Sequence, residues 1–335
     1  MNQKTIAFFC PSKSWGGLEM NVLRIALWMQ EAGSRILLYA DPDSQLYSEA
    51  YKTSLPLISF ISESKFSDLK NAAKLKKSLT ENNVDIILFH LNRNFPLLAL
   101  IKIMMKDSIK TAYVQHMQLG ANKKDLIHKV IYSRLDCWIA PLNMFKKSLV
   151  EYTSIPESKI SVVPFGIELD RFTEPKRSRE EARKLLKLPL NKTILGFVGR
   201  IDPKKCQHTL IEAAHLLIQQ EYDIEILLVG DKSKNEHDQY VKKIEEMITE
   251  YNLIKKIHLR EHFKEIEAAY KAIDIFILTS SAETFGMVTI EAMASGLPVI
   301  GTNSGGTPEI TEDNKTGLLF EPENAPDLAE KLKIL

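Results

Sequence analysis

Two glutamates, Glu283 and Glu291, lie eight positions apart in the stretch ILTSSAETFGMVTIEAMASGLPVI. The run DIFILTS predicts a buried strand, and GMVTIEAMASG predicts a helix that begins near Gly286. Glu283 then lies in the loop between them, whereas Glu291 lies about 7.5 Å along the helix axis, too far to cap the first turn. A carboxylate in that position can accept two hydrogen bonds from a vicinal diol such as ribose. The alternative is that Glu283 complements the helix dipole and Glu291 is a solvated helix residue.

The start of this predicted helix offers backbone donors to an anion. The first N–H groups of a helix have no partner within it, and the helix dipole makes its N-terminus electropositive. An anion at the end of the strand would therefore meet the amides of Phe285, Gly286, Met287 and Val288.

Two cations follow another predicted strand, in the segment VGRIDPKKCQHTL. Arg200 comes directly after the strand, and Lys205 precedes the next helix. Arginine binds phosphate through forked hydrogen bonds and lysine binds it as a mobile point charge, so this pair suits a diphosphate. A surface lysine alone is weak evidence for a ligand site. An arginine directly after an apolar strand that ends in glycine is stronger evidence for one.

Two further strand ends could contact a ligand. In CPSKSWGGLEM, Gly16 and Gly17 open a helix after the first predicted strand, where backbone without side chains can approach a phosphate or sugar closely. A Gly-Gly pair alone is more often a tight turn, and the chain contains no G-x-G-x-x-G, which weakens an NAD or FAD interpretation. His116 ends the predicted strand TAYVQHMQ on the side where ligands bind, although a lone histidine is more often structural.

The elements that position these residues follow from the hydrophobic pattern. Short apolar runs alternate with segments of helical period through nearly the whole chain, which predicts an α/β protein with parallel sheets covered by helices. A length of 335 residues suffices for two domains. We place their connection in the charged segment at residues 166–190, between a first domain of residues 1–165 and a second domain of residues 191–335.

Composition excludes several classes of protein. The apolar fraction of 44% and the charged fraction of 26% are typical of a globular protein, and no stretch has the roughly 20 apolar residues of a membrane helix. Cys10, Cys137 and Cys206 are too few and too far apart for a disulfide framework or a Cys-x-x-Cys metal site. The start MNQKTIAFFC lacks the features of a secretory signal, so we expect a cytoplasmic protein.

Taken together, these motifs resemble the retaining glycosyltransferases of GT-B fold, the large family that includes bacterial enzymes acting on lipopolysaccharide and capsule precursors. The segments that carry the resemblance are WGGLE, VVPFGIELDRF, GRIDPKK and the E-x7-E motif ETFGMVTIE, followed by GGTPEI and TGLLFEP. They cover nearly the whole chain. The resemblance implies two Rossmann-like, doubly wound domains that face a cleft.

The resemblance also implies a role for each residue in binding the donor, a UDP-sugar or GDP-sugar. Arg200 and Lys205 would bind the diphosphate, together with the amides around Gly286. Glu291 would bind ribose hydroxyls, and Glu283 would bind the transferred hexose or N-acetylhexosamine near the reacting centre. Backbone in the segment from residue 261 to residue 263 would contact the base.

On the acceptor side, the resemblance implies that His116 contacts the sugar and that the loop of Gly16 and Gly17 lies against donor and acceptor. A glycan or lipid-linked acceptor would attack from the side of the leaving group, and a donor phosphate oxygen would take its proton. No metal is expected, and the chain contains no Asp-x-Asp motif. The implied pathway is surface polysaccharide synthesis, with no nucleic acid among the expected partners.

Three positions depart from the family pattern. Cys206 stands where the family usually has glycine after the lysine, and Phe165 replaces the common asparagine before the hinge glycine. The chain stops at LAEKLKIL, so we expect it to lack the usual C-terminal helices. A sugar-nucleotide-binding protein without turnover, or a GT-B epimerase or phosphorylase, is the alternative to a transferase.

Charge is distributed unevenly along the chain. Residues 1–165 hold 21 Lys and Arg against 14 Asp and Glu, whereas residues 166–335 hold 23 against 29. A basic first half suggests an anionic partner such as a membrane surface, and solvated surface lysine is the alternative. The helix ANKKDLIHKVIYSRL combines cations with apolar residues. Its apolar face comprises Leu126, Ile127, Val130, Ile131 and Leu135. We expect this face to pack on the sheet, and docking on an anionic membrane is the second hypothesis.

Overall fold

The computed structural model describes residues 3–62, 69–106, 108–120, 122–231, 238–261 and 263–335. It divides into two units, Met1–Phe165 and Gly166–Leu335. In chain order, the first unit contains β1 (Thr5–Cys10), α1 (Gly17–Glu31), β2 (Arg35–Ala40), α2 (Gln45–Ala50), β3 (Leu57–Ser59), α3 (Leu69–Glu81), β4 (Ile86–Phe89), α4 (Phe95–Met104), β5 (Lys110–Val114), α5 (Leu126–Ser133), β6 (Cys137–Ala140), α6 (Asn143–Tyr152) and β7 (Ile160–Val162).

The second unit repeats the alternation of strand and helix. Its elements are α7 (Leu169–Thr173), α8 (Arg179–Leu185), β8 (Thr193–Val198), α9 (Gln207–Gln219), β9 (Ile224–Val229), α10 (Asp238–Glu250), β10 (Ile257–Arg260), α11 (Ile266–Ala272), β11 (Ile275–Leu278), α12 (Met287–Ala294), β12 (Val299–Thr302), α13 (Thr307–Ile310), β13 (Leu318–Phe320) and α14 (Ala325–Leu332).

Each unit is built on one parallel sheet, which confirms the predicted α/β class. The seven strands of the first sheet follow the order β3-β2-β1-β4-β5-β6-β7, and the six strands of the second follow the order β10-β9-β8-β11-β12-β13. The direction of winding reverses between β1 and β4 in the first sheet and between β8 and β11 in the second. Ligands of open parallel sheets bind beyond the carboxyl ends of the strands at such a reversal. The loops after these four strands are therefore the places to look for a site.

Apolar side chains on both faces of each sheet explain why the strands read as continuous apolar runs. Every residue of β1 is buried, and five of the six residues of β8 are buried. In the second unit, helices α9, α10 and α14 cover one face of the sheet, and α7, α8, α11 and α12 cover the other. The strand ends that carry polar residues are thus fixed by cores on both sides.

The segment at residues 166–190, which we predicted as the connection, lies in the second unit and forms α7 and α8. The guanidinium of Arg183 in α8 is buried. It donates to the carbonyl of Ala272 at 2.9 Å, to that of Leu190 at 2.8 Å and to the Asp274 carboxylate at 2.6 Å. These bonds tie α8 to the end of α11 and the start of β11.

Helix α5 corrects one expectation. Its side chains Leu126, Ile127 and Val130 are 78%, 70% and 58% exposed, so this part of the apolar face does not pack on the sheet. The helix instead packs through its C-terminal end, where the ring of Tyr132 meets those of Phe95 and others in the core. Among the described residues, no helix is both long enough and apolar enough to cross a membrane.

Candidate functional site

Two loops meet at the reversal of the second sheet. The loop after β8 contains a short 3-10 turn, in which the side chain of Asp202 accepts from the amide of Lys204 at 2.9 Å. The loop after β11 is bonded to this turn. The amide of Ser281 donates to the carbonyl of Lys204 at 3.0 Å, and the hydroxyl of Thr279 donates to the carbonyl of Lys205 at 2.7 Å. The backbone on either side of Lys205 is therefore held in place from the neighbouring strand.

The central contact of the site joins Lys205 to Glu283. The Nζ atom of Lys205 lies 2.5 Å from Oε2 of Glu283, and the two side chains are 27% and 13% exposed. The second carboxylate oxygen accepts from the amide of Thr284 at 3.2 Å. Two residues that are 78 positions apart in the sequence thus form one ion pair at the place where parallel sheets bind ligands.

The backbone of Glu283 is supported from behind by the GGT segment after β12. The amide of Gly306 donates to the carbonyl of Glu283 at 2.8 Å. Gly305 has a φ of +59°, and a Cβ atom there would lie 2.5 Å from the carbonyl oxygen of Glu283 and 2.8 Å from its nitrogen. Only glycine fits this close approach, because backbone atoms cannot move aside as a flexible side chain can. The position of Glu283 therefore depends on Gly305.

Helix α12 begins at Met287, with Gly286 as its N-cap in a left-handed conformation at a φ of +84°. The ring of Phe285 is buried, and a Cβ atom on Gly286 would lie 3.3 Å from Cγ of Glu283. The amides predicted to meet an anion, those of Phe285 to Val288, therefore belong to the N-cap region and first turn of α12, beside the Glu283 carboxylate.

Glu291 is held by a partner that the sequence did not reveal. The hydroxyl of Tyr270, in α11, donates to Oε2 of Glu291 at 2.7 Å. Tyr270 is fully buried, and this burial, together with the adjacent Glu291 carboxylate, raises the pKa of the phenol well above its ordinary value. The phenol therefore stays a donor at neutral pH. Glu291 is half-buried and fixed, and is not the solvated helix residue of the alternative interpretation.

The remaining predicted residues of this unit differ in how they are held. The carbonyl of Arg200 accepts from the Gln207 side chain at 2.7 Å, but the exposed Arg200 guanidinium has no bond within the described part of the chain. Cys206 has a φ of +49° and donates from Sγ to the carbonyl of Pro203 at 3.2 Å. It thus adopts the left-handed conformation that a glycine would favour. Of the segment predicted to contact the base, residue 262 lies outside the described residues.

In the first unit, the Gly16–Gly17 loop follows β1 at the reversal of the sheet. Gly16 has an extended backbone, with a φ of −171°, and a Cβ atom on Gly17 would meet nothing within 4 Å. The local backbone therefore requires glycine at neither position. Beside this loop, the hydroxyl of Ser12 donates to the carboxylate of Glu19 at 2.6 Å, and both residues are buried. Neither residue type nor spacing distinguishes Ser12 and Glu19 in the sequence, so this contact is not predictable from it.

His116 lies just beyond β5 and is not a lone histidine. Its Nε2 atom lies 3.1 Å from Nδ1 of His90, which follows β4 directly. The ring of Phe165 stacks on that of His116, with centroids 5.1 Å apart and planes 15° apart. Burial lowers the pKa of His116 to about 4 and that of His90 well below its ordinary value, so both rings are neutral near pH 7.

Two further features concern possible ligands. A cavity of about 430 Å³ lies between the start of α4 and helix α5, and Arg93, Lys123 and His128 contribute to its lining. Within the described ranges, no three His, Cys, Asp or Glu side chains come together as a metal site would need.

Comparison with known proteins gives consistent matches along the chain. Residues 178–335 match the family model described as Glycosyl transferases group 1, and residues 15–171 match the model described as Glycosyltransferase Family 4. Over 181 residues the chain is 32% identical to a D-inositol 3-phosphate glycosyltransferase of Corynebacterium urealyticum, covering 52% of this chain and 42% of that protein. It is also 32% identical to spore coat protein SA of Bacillus subtilis, covering 53% and 49%. These matches thus span less than half of each relative.

Solved structures match over the full length. A glycosyltransferase of Rickettsia africae superposes with a TM-score of 0.88 at 25% identity, covering 100% of this chain and 88% of that one. Anabaena Alr3699/HepE in complex with UDP superposes with a TM-score of 0.84 at 22% identity, covering 99% and 89%. At that level of identity, the second comparison shows a common fold.

Proposed function

We propose that the chain is a glycosyltransferase of GT-B fold, which transfers a hexose or N-acetylhexosamine from a nucleoside diphosphate sugar to a glycan or lipid-linked acceptor. The matches of residues 15–171 and 178–335 to two glycosyltransferase family models support this proposal. The transfer retains the anomeric configuration and serves bacterial surface polysaccharide synthesis. The observation that carries this proposal is the contact between Lys205 and Glu283 at the reversal of the second sheet. It places a cation suited to phosphate beside a carboxylate suited to sugar hydroxyls.

The diphosphate, the ribose and the transferred sugar of the donor each have a proposed binding group. Lys205 and the exposed Arg200 bind the diphosphate, assisted by the first-turn amides of α12. Glu291, oriented by Tyr270, accepts hydrogen bonds from the ribose hydroxyls, and Glu283 binds the transferred sugar. The fold relative HepE was solved with UDP and with UDP-glucose, which makes uridine donors the first to test.

The proposed reaction takes place on one face of the sugar. The acceptor hydroxyl oxygen forms a bond to the anomeric carbon while the bond from that carbon to the phosphate oxygen breaks, and the acceptor proton passes to a donor phosphate oxygen. The protein acts by positioning the two substrates and by stabilising the charge that develops on the leaving diphosphate. Lys205 is the group best placed to supply that stabilisation, because hydrogen bonds from the loop after β11 fix its backbone.

A panel of UDP-sugars and GDP-sugars tests the proposal. The purified protein is incubated with each donor and with mixtures of glycan and lipid-linked acceptors, in the presence of a chelator, and released nucleoside diphosphate is measured. Release with one donor, absent in Glu283→Ala, supports a transferase, and NMR of the product anomer reports retention. Donor binding that is lost in Glu291→Ala but without release from any mixture supports the binding protein without turnover.

We place the acceptor side on the first unit, where α5 presents a surface suited to a membrane. The exposed apolar residues Leu126, Ile127 and Val130 lie among the exposed cations Lys124 and Lys129. An amphipathic helix of this kind binds in the plane of an interface, with its apolar side among acyl chains and its cations on anionic headgroups. The adjacent cavity lined by Arg93, Lys123 and His128 suits the phosphate of a lipid-linked acceptor.

Sedimentation with vesicles tests this surface. Binding should rise with the anionic lipid fraction and fall in Leu126→Glu/Ile127→Glu. The matched control is Ile254→Glu, because Ile254 is an aliphatic residue that is 65% exposed and belongs to the second unit. Binding that does not depend on anionic lipid, or an equal loss in Ile254→Glu, would exclude a specific role of the α5 surface.

A further inference from the structure

His90 and His116 form a direct contact at the ends of two neighbouring strands of the first sheet. Strands β4 and β5 pair in parallel, and each histidine follows the end of its strand. Nδ1 of His90 lies 3.1 Å from Nε2 of His116, a distance at which one ring donates a hydrogen bond to the other. Since each neutral imidazole carries one N–H, the direction of this bond fixes where the proton lies on both rings.

The surroundings of His90 decide that direction. The ring is fully buried and stacks on the ring of Phe8, with centroids 5.6 Å apart and planes 14° apart. Its Nε2 atom is buried and has no hydrogen-bond partner within the described part of the chain. A buried N–H without an acceptor is rarer and more costly than a buried acceptor without a donor. The proton of His90 therefore lies on Nδ1 and is donated to His116.

The consequence for His116 follows from proton counting. Its Nε2 atom accepts the bond from His90, so the single proton of the neutral ring lies on Nδ1. This atom makes no hydrogen bond among the described residues, and so can donate to a ligand. The ring of Phe165, stacked against one face, keeps the imidazole plane in place.

We infer that His90 is a positioning residue that fixes His116 in the tautomer protonated at Nδ1, so that His116 presents a donor to an oxygen atom of the ligand. The identity of that ligand as the transferred sugar or the acceptor rests on the proposed function. The tautomer itself does not, because it is set within the free protein.

Nitrogen NMR of the full chain tests the tautomer without any ligand. The protein is labelled with ¹⁵N-histidine, and spectra that correlate ring nitrogens with ring carbon-bound protons are recorded near neutral pH. Signals are assigned by their loss in His90→Asn and His116→Gln. We expect a protonated Nδ1 and an unprotonated Nε2 on both rings. A proton on Nε2 of His116, or a charged ring at either position, would overturn the inference.

Two replacements of His90 separate positioning from packing. His90→Asn keeps an amide donor near the place of Nδ1, whereas His90→Phe keeps a ring against Phe8 and removes the donor. We expect His90→Phe to lower kcat/KM about tenfold, the worth of one hydrogen bond, and to move the His116 proton towards Nε2. His90→Asn should stay within about threefold of wild type. His215→Phe, in the second unit, should change neither quantity.

The outcomes distinguish this inference from the proposed function. Equal loss of activity in both His90 variants, with an unchanged His116 tautomer, would reduce His90 to a packing residue and overturn the inference. Wild type without transferase activity towards every donor would contradict the proposed function, and the NMR result would still decide the tautomer. Thermal unfolding of each variant confirms that its fold is retained before the two readouts are compared.

Discussion

Replacing Glu283 by glutamine should affect nucleotide binding and turnover in opposite directions. In the free protein the carboxylate of Glu283 holds the ammonium of Lys205 at 2.5 Å. A nucleoside diphosphate must compete with this carboxylate for Lys205, and its own charge is repelled by Glu283. Glu283→Gln removes both effects but also removes the charged acceptor proposed for the sugar. The diphosphate product should therefore bind more tightly, while transfer should become slower.

The size of the effect follows from the geometry of the pair. A hydrogen bond to a charged group is worth about 1.5–3 kcal/mol when buried. Because the Lys205 and Glu283 side chains are 27% and 13% exposed, solvent screening reduces this to about 1–2 kcal/mol. Affinity for the diphosphate should accordingly rise about 5- to 30-fold. Loss of an interaction with the reacting sugar should lower kcat by at least about 100-fold, as for other groups that stabilise a transition state.

Calorimetric titration of UDP and GDP into both proteins measures the first quantity, and nucleotide release measures the second. Asp223→Asn is the matched control, because Asp223 also lies 2.5 Å from a lysine, Lys192, but these two residues precede strands β9 and β8, at the ends of the strands opposite to the site. It should change neither quantity. Unchanged or weaker diphosphate binding in Glu283→Gln would refute the idea that Glu283 restrains Lys205.

Three further predictions concern the support of the site and of the fold. Gly305→Ala should lower turnover at least about tenfold, because the Cβ atom of the alanine would displace the backbone of Glu283. Release of nucleoside diphosphate measures this, and turnover equal to that of wild type would contradict the prediction. Cys206→Gly should change the free energy of unfolding by less than about 1 kcal/mol, whereas Cys206→Val should lower it by more than about 2 kcal/mol, because a β-branched residue is disfavoured at a φ of +49°. Equal free energies of unfolding for the two variants in urea denaturation would contradict this. Partial burial opposes ionisation of Asp136, but hydrogen bonds from Lys102 and Thr111 outweigh it and lower the pKa of Asp136 to about 2. Its stabilisation is therefore complete above the ordinary pKa of 3.8 and is lost as the pH falls through about 2. Asp136→Asn should cost about 2 kcal/mol at pH 7, with the difference from wild type shrinking below pH 4 in urea denaturation; a difference independent of pH would contradict the assignment.

The sequence was informative where the signal is local. Alternation of apolar runs with helical periods predicts parallel sheets, and both sheets are parallel throughout. Parallel sheets bind ligands beyond the carboxyl ends of their strands, so the loops after strands are the candidate sites. This rule identifies Lys205 and Glu283 as candidates, although the sequence does not indicate that they are in contact. Their proposed roles, like those of Arg200, Gly16 and Gly17, stay predictions that the donor panel tests.

Other features depend on contacts between distant parts of the chain. Tyr270 reaches Glu291 from a different helix, and Arg183 bonds to residues about 90 positions later. No spacing in the sequence encodes such contacts, because they follow from how helices pack on the finished sheet. Helix α5 shows the converse limit. Its amphipathic pattern identified the helix, but the pattern is the same whether an apolar face meets a sheet or remains exposed.

The two units orient one polar group each in the same way. In each, a fully buried side chain is hydrogen-bonded to a half-buried group that we propose as a ligand contact: Tyr270 to Glu291, and His90 to His116. Burial disfavours the charged form of each donor, which keeps the phenol protonated and the imidazole neutral at physiological pH. The orientation of Glu291 and His116 is therefore set before a ligand arrives and does not change with small shifts in pH. Groups fixed in this way lose less conformational freedom on binding, so more of their interaction energy is available for positioning the reacting atoms.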